Sequence, residues 1–396
     1  MSRAPLHRSR GFTLIEVMIA STLSLLVLAG AITVGVYLQR RGLMEERTME
    51  TQNAGRAARD LLVPLLQRAG AGFGKARLNV GGNGAQVDQR YAIWVTTNAT
   101  FSGDPTFAPP TGVYANRISD ALEVWDADSA QATQLANSGA CGGKMWDGSK
   151  LCANNLVDGG IPANSLSVVT NPALQTACVG VVGVARDSVT RTIAWVAGVP
   201  GRPLPSGSDC STPALPPNLY GGGGTNETLL MPLSVRAYRV NGFTGNPVLE
   251  EDPDGSAGPA AYQPLAQDIE RIKVRLGLYN PSNPNVTDFI FFPDATAGRP
   301  AVDQCTNATC WARIPGDAGV QGASETGAQS ARDELMRRVR LVELSITART
   351  QRPDLAAVEQ GANGATLDEE GNPNDGYKRR HFIQRVAPRN FAISGG

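Results

Sequence analysis

The stretch RGFTLIEVMIA, residues 10–20, decides how the rest of the chain is read. Glu16 is the only charge between Phe12 and Leu38, and the 22 residues from Val17 to Leu38 carry none. As an α-helix that run is about 33 Å long, against a bilayer hydrocarbon core of about 30 Å. A carboxylate in such a segment costs roughly 2.5–3.5 kcal/mol at mid-membrane on insertion scales, and less near an interface. One reading places Glu16 in the head-group layer. The other needs a cut between Gly11 and Phe12. Phe12 then carries a new α-ammonium one turn from Glu16, and negative charge in a helix's first turn is favoured by the dipole. In an apolar bundle of such helices, Glu16 of one chain neutralises the Phe12 ammonium of its neighbour; either charge buried alone is expensive. The pair also fixes axial register between apolar cylinders.

Arg3, Arg8 and Arg10 precede the apolar run and favour a cytoplasmic N-terminus. Arg40 and Arg41 on the far side oppose this, but a long following domain translocates largely regardless of charge. The expected topology is one inner-membrane span with the bulk of the chain outside.

The segment Arg10-Gly11-Phe12-Thr13-Leu14-Ile15-Glu16-Val17 resembles the class III signal of type IV prepilins and type II secretion pseudopilins. The resemblance implies that prepilin peptidase cuts after Gly11 and N-methylates Phe12, and that Glu16 guides assembly. It implies as partners a major pilin, other minor pilins, prepilin peptidase, an inner-membrane assembly platform and a tip adhesin, with the membrane as host before assembly. An ordinary secretory signal cut at Ala29-Gly30-Ala31 competes with it. That alternative explains neither Glu16 nor the apolar run continuing to Leu38.

Four regions are expected: a leader over 1–11, a membrane or filament-core helix over 12–38, an amphipathic continuation over 39–69, and a β-rich extracytoplasmic domain over 70–396. Ala54, Ala58, Leu61, Leu62, Leu65 and Leu66 follow helical spacing, so one face of the continuation docks on the following domain. Pro64 predicts a kink or restart. Gly30, Gly35, Gly42 and Gly55 lower helix propensity. Gly30 and Gly35 either let the helix loosen on leaving lipid or only permit close helix packing. DLLVPLLQRAGAGFG (60–74) is similar to the end of the long helix in PilW-type minor pilins. SDALEVWDAD (119–128), IERIKVRLGLYN (269–280), RRVRLVELSITART (337–350) and KRRHFIQRVAPRN (378–390) are loosely similar to the same subtype.

Beyond residue 70 the pattern is that of strands. YAIWVTT (91–97), ALEVWD (121–126), SLSVVT (165–170), VGVVGV (179–184), RTIAWVAGV (191–199) and FIFFP (289–293) are short and rich in β-branched or aromatic residues. Ile272, Val274, Leu276 and Leu278 alternate, as do the residues of 339–348, which indicates antiparallel strands with one buried face. Residues 324–339 predict a second helix. Residues 201–224 hold five Pro and six Gly and form a loop that either divides the domain into two lobes or is an insertion in one sheet. The fold class is therefore α+β, with a long N-terminal helix packed on a large antiparallel β-rich domain.

Lys plus Arg and Asp plus Glu both number 36, so no net basic charge argues for nucleic acid. Six Cys in an exported domain suggest disulfides, and nearest-neighbour pairing joins Cys141 to Cys152, Cys178 to Cys210 and Cys305 to Cys310. No catalytic motif is present. GFGKA (72–76) and CGGKM (141–145) lack the glycine and hydroxyl positions of a P-loop. His381 reads as structural. The acidic loops 250–258 and 368–376 are candidates for Ca²⁺, but lack EF-hand spacing and read better as solvated turns; no cofactor is expected.

The expectation is a non-enzymatic minor pilin of a type IV pilus, priming assembly or sitting at the filament tip. A domain of about 325 residues implies a globule roughly 50 Å across, while packed helices lie about 8–10 Å apart. Many copies would crowd a shaft. A type II secretion minor pseudopilin of the GspJ type and a secreted adhesin are the alternatives.

Overall fold

The computed structural model describes residues 12–83, 86–101, 104–110, 114, 117–155, 161–171, 176–200, 202–203, 210, 228–242, 246–255, 261–279, 289–293, 328–353 and 375–391. By contact, residues 1–50 and 51–396 form two compact units. Most of 201–224, the expected lobe boundary, lies outside the described residues.

Helix α1 runs from Leu14 to Arg68, 55 residues or about 80 Å. It carries Pro64 inside it and does not restart there. Its final turn is held from both sides of the proline: Leu62 and Leu66 are buried, and the Ala69 N–H still donates to the Leu65 carbonyl at 3.0 Å. The stripe that docks is Thr51, Gly55, Ala58, Leu62, Leu66 and Ala69. Leu61, expected on it, is 43% exposed. Steps of three and four from Ala58 pass through Leu62, leaving Leu61 a hundred degrees off the seam. At Gly55 the reason for glycine is contact, since a Cβ there would fall inside the Phe382 ring.

The glycines after the helix stop it. Gly70, Gly72 and Gly74 have φ of +74°, +80° and +63°, the left-handed region that favours glycine. Gly70 donates to the Trp125 carbonyl at 2.9 Å, and Asn390 Nδ2 donates to the last helical carbonyls, of Arg68 at 3.0 Å and Ala69 at 3.2 Å. The Gly-rich GFGKA is thus a helix terminator. Its Lys75 donates to the Arg337 carbonyl.

Seventeen strands occur among the described residues. They are β1 (Arg77–Asn83), β2 (Gln86–Arg90), β3 (Ile93–Thr96), β4 (Ala121–Ala127), β5 (Thr133–Gln134), β6 (Lys150–Cys152), β7 (Leu166–Thr170), β8 (Thr176–Asp187) and β9 (Thr192–Val199). There follow β10 (Arg202–Pro203), β11 (Leu229–Asn241), β12 (Val248–Asp252), β13 (Gln263–Gln267), β14 (Ile269–Leu278), β15 (Ile290–Phe292), β16 (Val339–Arg349) and β17 (Arg379–Val386). Helix α2 (Ala328–Arg338) precedes β16, and residues 324–327 of the expected helix lie outside the described set.

The strands form two sheets. The larger follows the order β10-β9-β8-β7-β11-β12-β13, with β1 to β6 attached along it. Strand β11 joins its halves. Its residues Leu229–Pro232 pair with β7, and from Leu233 to Tyr238 it pairs with β4. Pro232, which has no N–H, stands at that change of partner. The smaller sheet is β15-β14-β16-β17, all antiparallel.

One core cluster takes residues from α1, both sheets and α2, including Leu66, Trp125, Val274, Leu335 and Leu344. In β14, Ile272, Val274, Leu276 and Leu278 are at most 2% exposed. In β16 the alternation buries Val342, Leu344, Ile346 and Ala348 as expected. Val339 is buried too, although parity would turn it outward; an irregularity pairs Gly277 with Leu341 but Leu278 with Val339, and the extra residue restores the face. A second cluster on 135–161, β8 and β9 packs Trp146 edge-on against Trp195, with ring centroids 5.4 Å apart.

Buried charges hold the smaller sheet to the loops beside it. Glu270 accepts from Arg117 at 3.0 Å and from Arg379 at 2.7 Å, and Arg379 reaches Asp375 at 2.6 Å. Burial alone would raise the Glu270 pKa, but the hydrogen bonds and charges of Arg379 and Arg117 outweigh it and hold the carboxyl below its usual value.

Two outcomes are expected. Gly55→Ala, which would stabilise a free helix by about 1 kcal/mol, should instead destabilise by about 1–3 kcal/mol through overpacking, and Phe382→Ala should relieve that cost in denaturation curves. Because the folded Glu270 pKa is depressed, its stabilisation is complete above the unfolded carboxylate value of about 4.3 and is lost as pH falls through the folded value. Melting temperature against pH should fall less steeply below about pH 4.3 in Glu270→Gln than in the unsubstituted chain.

Candidate functional site

The N-terminal segment holds the candidate site, and its geometry starts with a helix cap. Thr13 precedes the first helical residue, Leu14. It donates its backbone N–H and its hydroxyl to Glu16 Oε2, each at 2.9 Å, and its hydroxyl oxygen accepts the Glu16 N–H at 3.3 Å. This reciprocal arrangement is a capping box. It satisfies two of the N–H donors that open a helix, and places the carboxylate at the positive end of the dipole. Glu16 therefore has an intrachain role that does not depend on a neighbour. Sequence reasoning centred on charge missed Thr13, although threonine three residues ahead of glutamate and before an apolar run signals this motif.

Both bonds go to the same carboxylate oxygen, Oε2. Phe12 is 87% exposed, and Gly11 lies outside the described residues. From Leu14 onward the apolar side chains of the first 30 helical residues stand exposed, among them Ile15, Leu26, Val27 and Leu38. The helix is long and apolar enough to cross a membrane, and none of its most apolar window is buried. Exposed apolar surface on this scale, continuous around a helix, needs lipid or other helices to cover it. Gly30 and Gly35 sit in unbroken helix with no atom near the position of a Cβ.

Cys141 is bonded to Cys152 and Cys178 to Cys210. The second bond ties residue 210 to β8, and both of its cysteines are fully buried. Cys305 and Cys310 lie outside the described residues. In 250–258, the stretch considered for Ca²⁺, the first residues are strand. Glu250 accepts from Arg239 at 2.8 Å and Glu251 from Tyr238 at 3.0 Å, while Asp252 accepts the Asp254 N–H at 3.2 Å. In 368–376, Asp375 binds Arg379 and residues 368–374 are outside the described set. Among the described residues no three His, Cys, Asp or Glu come together as a metal site. His381 lies on β17 with Nδ1 3.1 Å from the Thr347 hydroxyl.

Residues 6–32 match the family model of the prokaryotic N-terminal methylation motif. No curated protein and no solved structure matches the chain. The motif, with Gly11, Phe12 and Glu16 inside it, marks a type IV pilin-like prepilin signal and supports a pilin- or pseudopilin-like protein. Motif and apolar helix together fit anchorage in the inner membrane.

Thr13→Val keeps the shape of the side chain and removes its hydroxyl. Loss of the cap should cost about 1 kcal/mol, so the Glu16 amide of the micelle-solubilised chain should exchange its proton about fivefold faster. Thr13→Ser should leave the rate unchanged.

Proposed function

We propose that the chain is a minor pilin of a type IV pilus, a structural and non-enzymatic subunit that primes assembly or occupies the filament tip. The observation that carries this reading is the methylation motif opening a helix of 55 residues whose far end is built into a large β domain. In the proposed cycle the apolar segment first rests in the inner membrane. Cleavage after Gly11 then creates the Phe12 ammonium, and N-methylation leaves its charge in place. Glu16, already turned to the helix start by Thr13, offers Oε1 to the ammonium of the adjoining subunit while Oε2 stays on Thr13. The carboxylate then leaves water with both oxygens engaged, which limits its desolvation penalty.

Size supports the tip. A unit of residues 51–396 implies a globule roughly 50 Å across, set against helices packed about 8–10 Å apart. The exported domain also carries disulfides, as an oxidising compartment allows. The PilW-like stretches favour the minor pilin subtype. The partners proposed are a major pilin, other minor pilins, prepilin peptidase, the assembly platform and a tip adhesin.

Mass spectrometry of the mature chain should find Phe12 first, with its amine methylated, and gold-labelled antibody should mark filament ends. Glu16→Ala should leave processing intact and sharply reduce piliation. A chain beginning elsewhere, or label along the whole shaft, contradicts the proposal.

A further inference from the structure

The β domain contains a cavity of about 360 Å³ that the filament reading leaves unused, within the size range of small-ligand sites. One wall is the loop with Ala108, Pro109 and Pro110, and it is firmly built. Asn241 donates Nδ2 to the Thr106 carbonyl at 2.7 Å and accepts the Ala108 N–H at 3.1 Å. The neighbouring Arg239 guanidinium holds Asp104 and lies 3.7 Å from the centre of the Tyr262 ring. Val240 and Pro247 complete the apolar side.

The polar side has a different character. It is lined by Arg117 and Arg349, whose side chains are 2% and 9% exposed, and by Glu270 between them. Glu270 lies 3.0 Å from Arg117, 3.7 Å from Arg349 and 2.7 Å from Arg379, so one carboxylate orients three guanidiniums. Tyr114 stacks by Arg117 with 5.5 Å from guanidinium carbon to ring centre. Glu270 remains ionised well below neutral pH, so this orientation persists. A guanidinium presents its donors as a planar fork that matches a carboxylate, and does so more strongly out of water.

We propose that this cavity binds a small organic carboxylate, its charged group against Arg117 and Arg349 and its apolar body against Pro109, Pro110 and Val240. The guanidiniums of Arg117 and Arg349 in the lining favour an anionic head group on the ligand. The apolar wall favours a carbon skeleton over an inorganic ion. The inference does not rest on the filament reading and stands or falls separately.

Calorimetry on the full chain in detergent micelles, at matched ionic strength, tests it. The probes are acetate, benzoate and glucuronate, each against its neutral counterpart acetamide, benzamide or glucose, with inorganic phosphate as a further arm. At least one acid should bind tenfold or more tightly than its counterpart, and more tightly than phosphate. Gly242→Phe should abolish that binding while the melting curve stays cooperative, since a Cβ at Gly242 meets nothing nearer than the Ala108 carbonyl oxygen at 3.6 Å and the ring fills the cavity. Arg117→Gln, where it folds, should also lose it. The proposal is overturned if no acid outperforms its neutral partner, if phosphate binds as well as the best acid, or if Gly242→Phe binds unchanged.

Discussion

Leu62 and Leu66 are almost wholly excluded from water, and the architecture depends on their burial. A helix that carries no charge from Val17 to Leu38 and is apolar all round there has no face of its own to present to a soluble domain. Over its last five turns the sequence changes to one narrow seam, and that seam enters the same core as Trp125, Val274 and Leu344. Burial of a leucine stabilises by roughly 1.5–3 kcal/mol, so the two together offset the disfavoured proline between them. The glycines that follow are needed because the chain must leave the helix within a residue or two and run into β1. A side chain at Gly70 would strike the Gly74 carbonyl.

The start of the same helix meets a different constraint. The first N–H groups of a helix have no intrahelical partner, and a carboxylate at the head of an apolar run needs donors as well. Thr13 answers both needs with one side chain, by donating to the acid and accepting from its amide. This couples local helix physics to the proposed assembly chemistry: the group that caps the helix is also the group a neighbouring ammonium would meet.

Much of this was legible in the sequence, where one physical rule dominates. Alternation in 272–278 and in 342–348 marks the central pair of the smaller sheet, and apolar length marks the exposed first part of α1, long enough to cross a membrane. What escaped depends on partners distant in sequence. Strand β11, the longest of the larger sheet, is interrupted by Pro232 and punctuated by Arg236 and Arg239, so it lacks a simple pattern; its arginines are paired with Glu250 and Glu251 of β12. Those same acids, read alone, suggested a cation-binding loop. Leu61 matched the helical stripe by composition but not by angle, and Gly55 seemed a weak point in a helix until Phe382 supplied its reason. The Arg117–Glu270–Arg349 group was invisible because its members are separated by more than 230 positions from first to last.

The cap on the far end of α1 has a consequence for how the molecule is made. Asn390 closes the helix across 322 positions of sequence, and Phe391 beside it is fully buried. During synthesis that joint can form only after residue 390 has been added, and until then the carbonyls of Arg68 and Ala69 lack their Asn390 partner. The end of the first helix is therefore completed only by a residue made long after it.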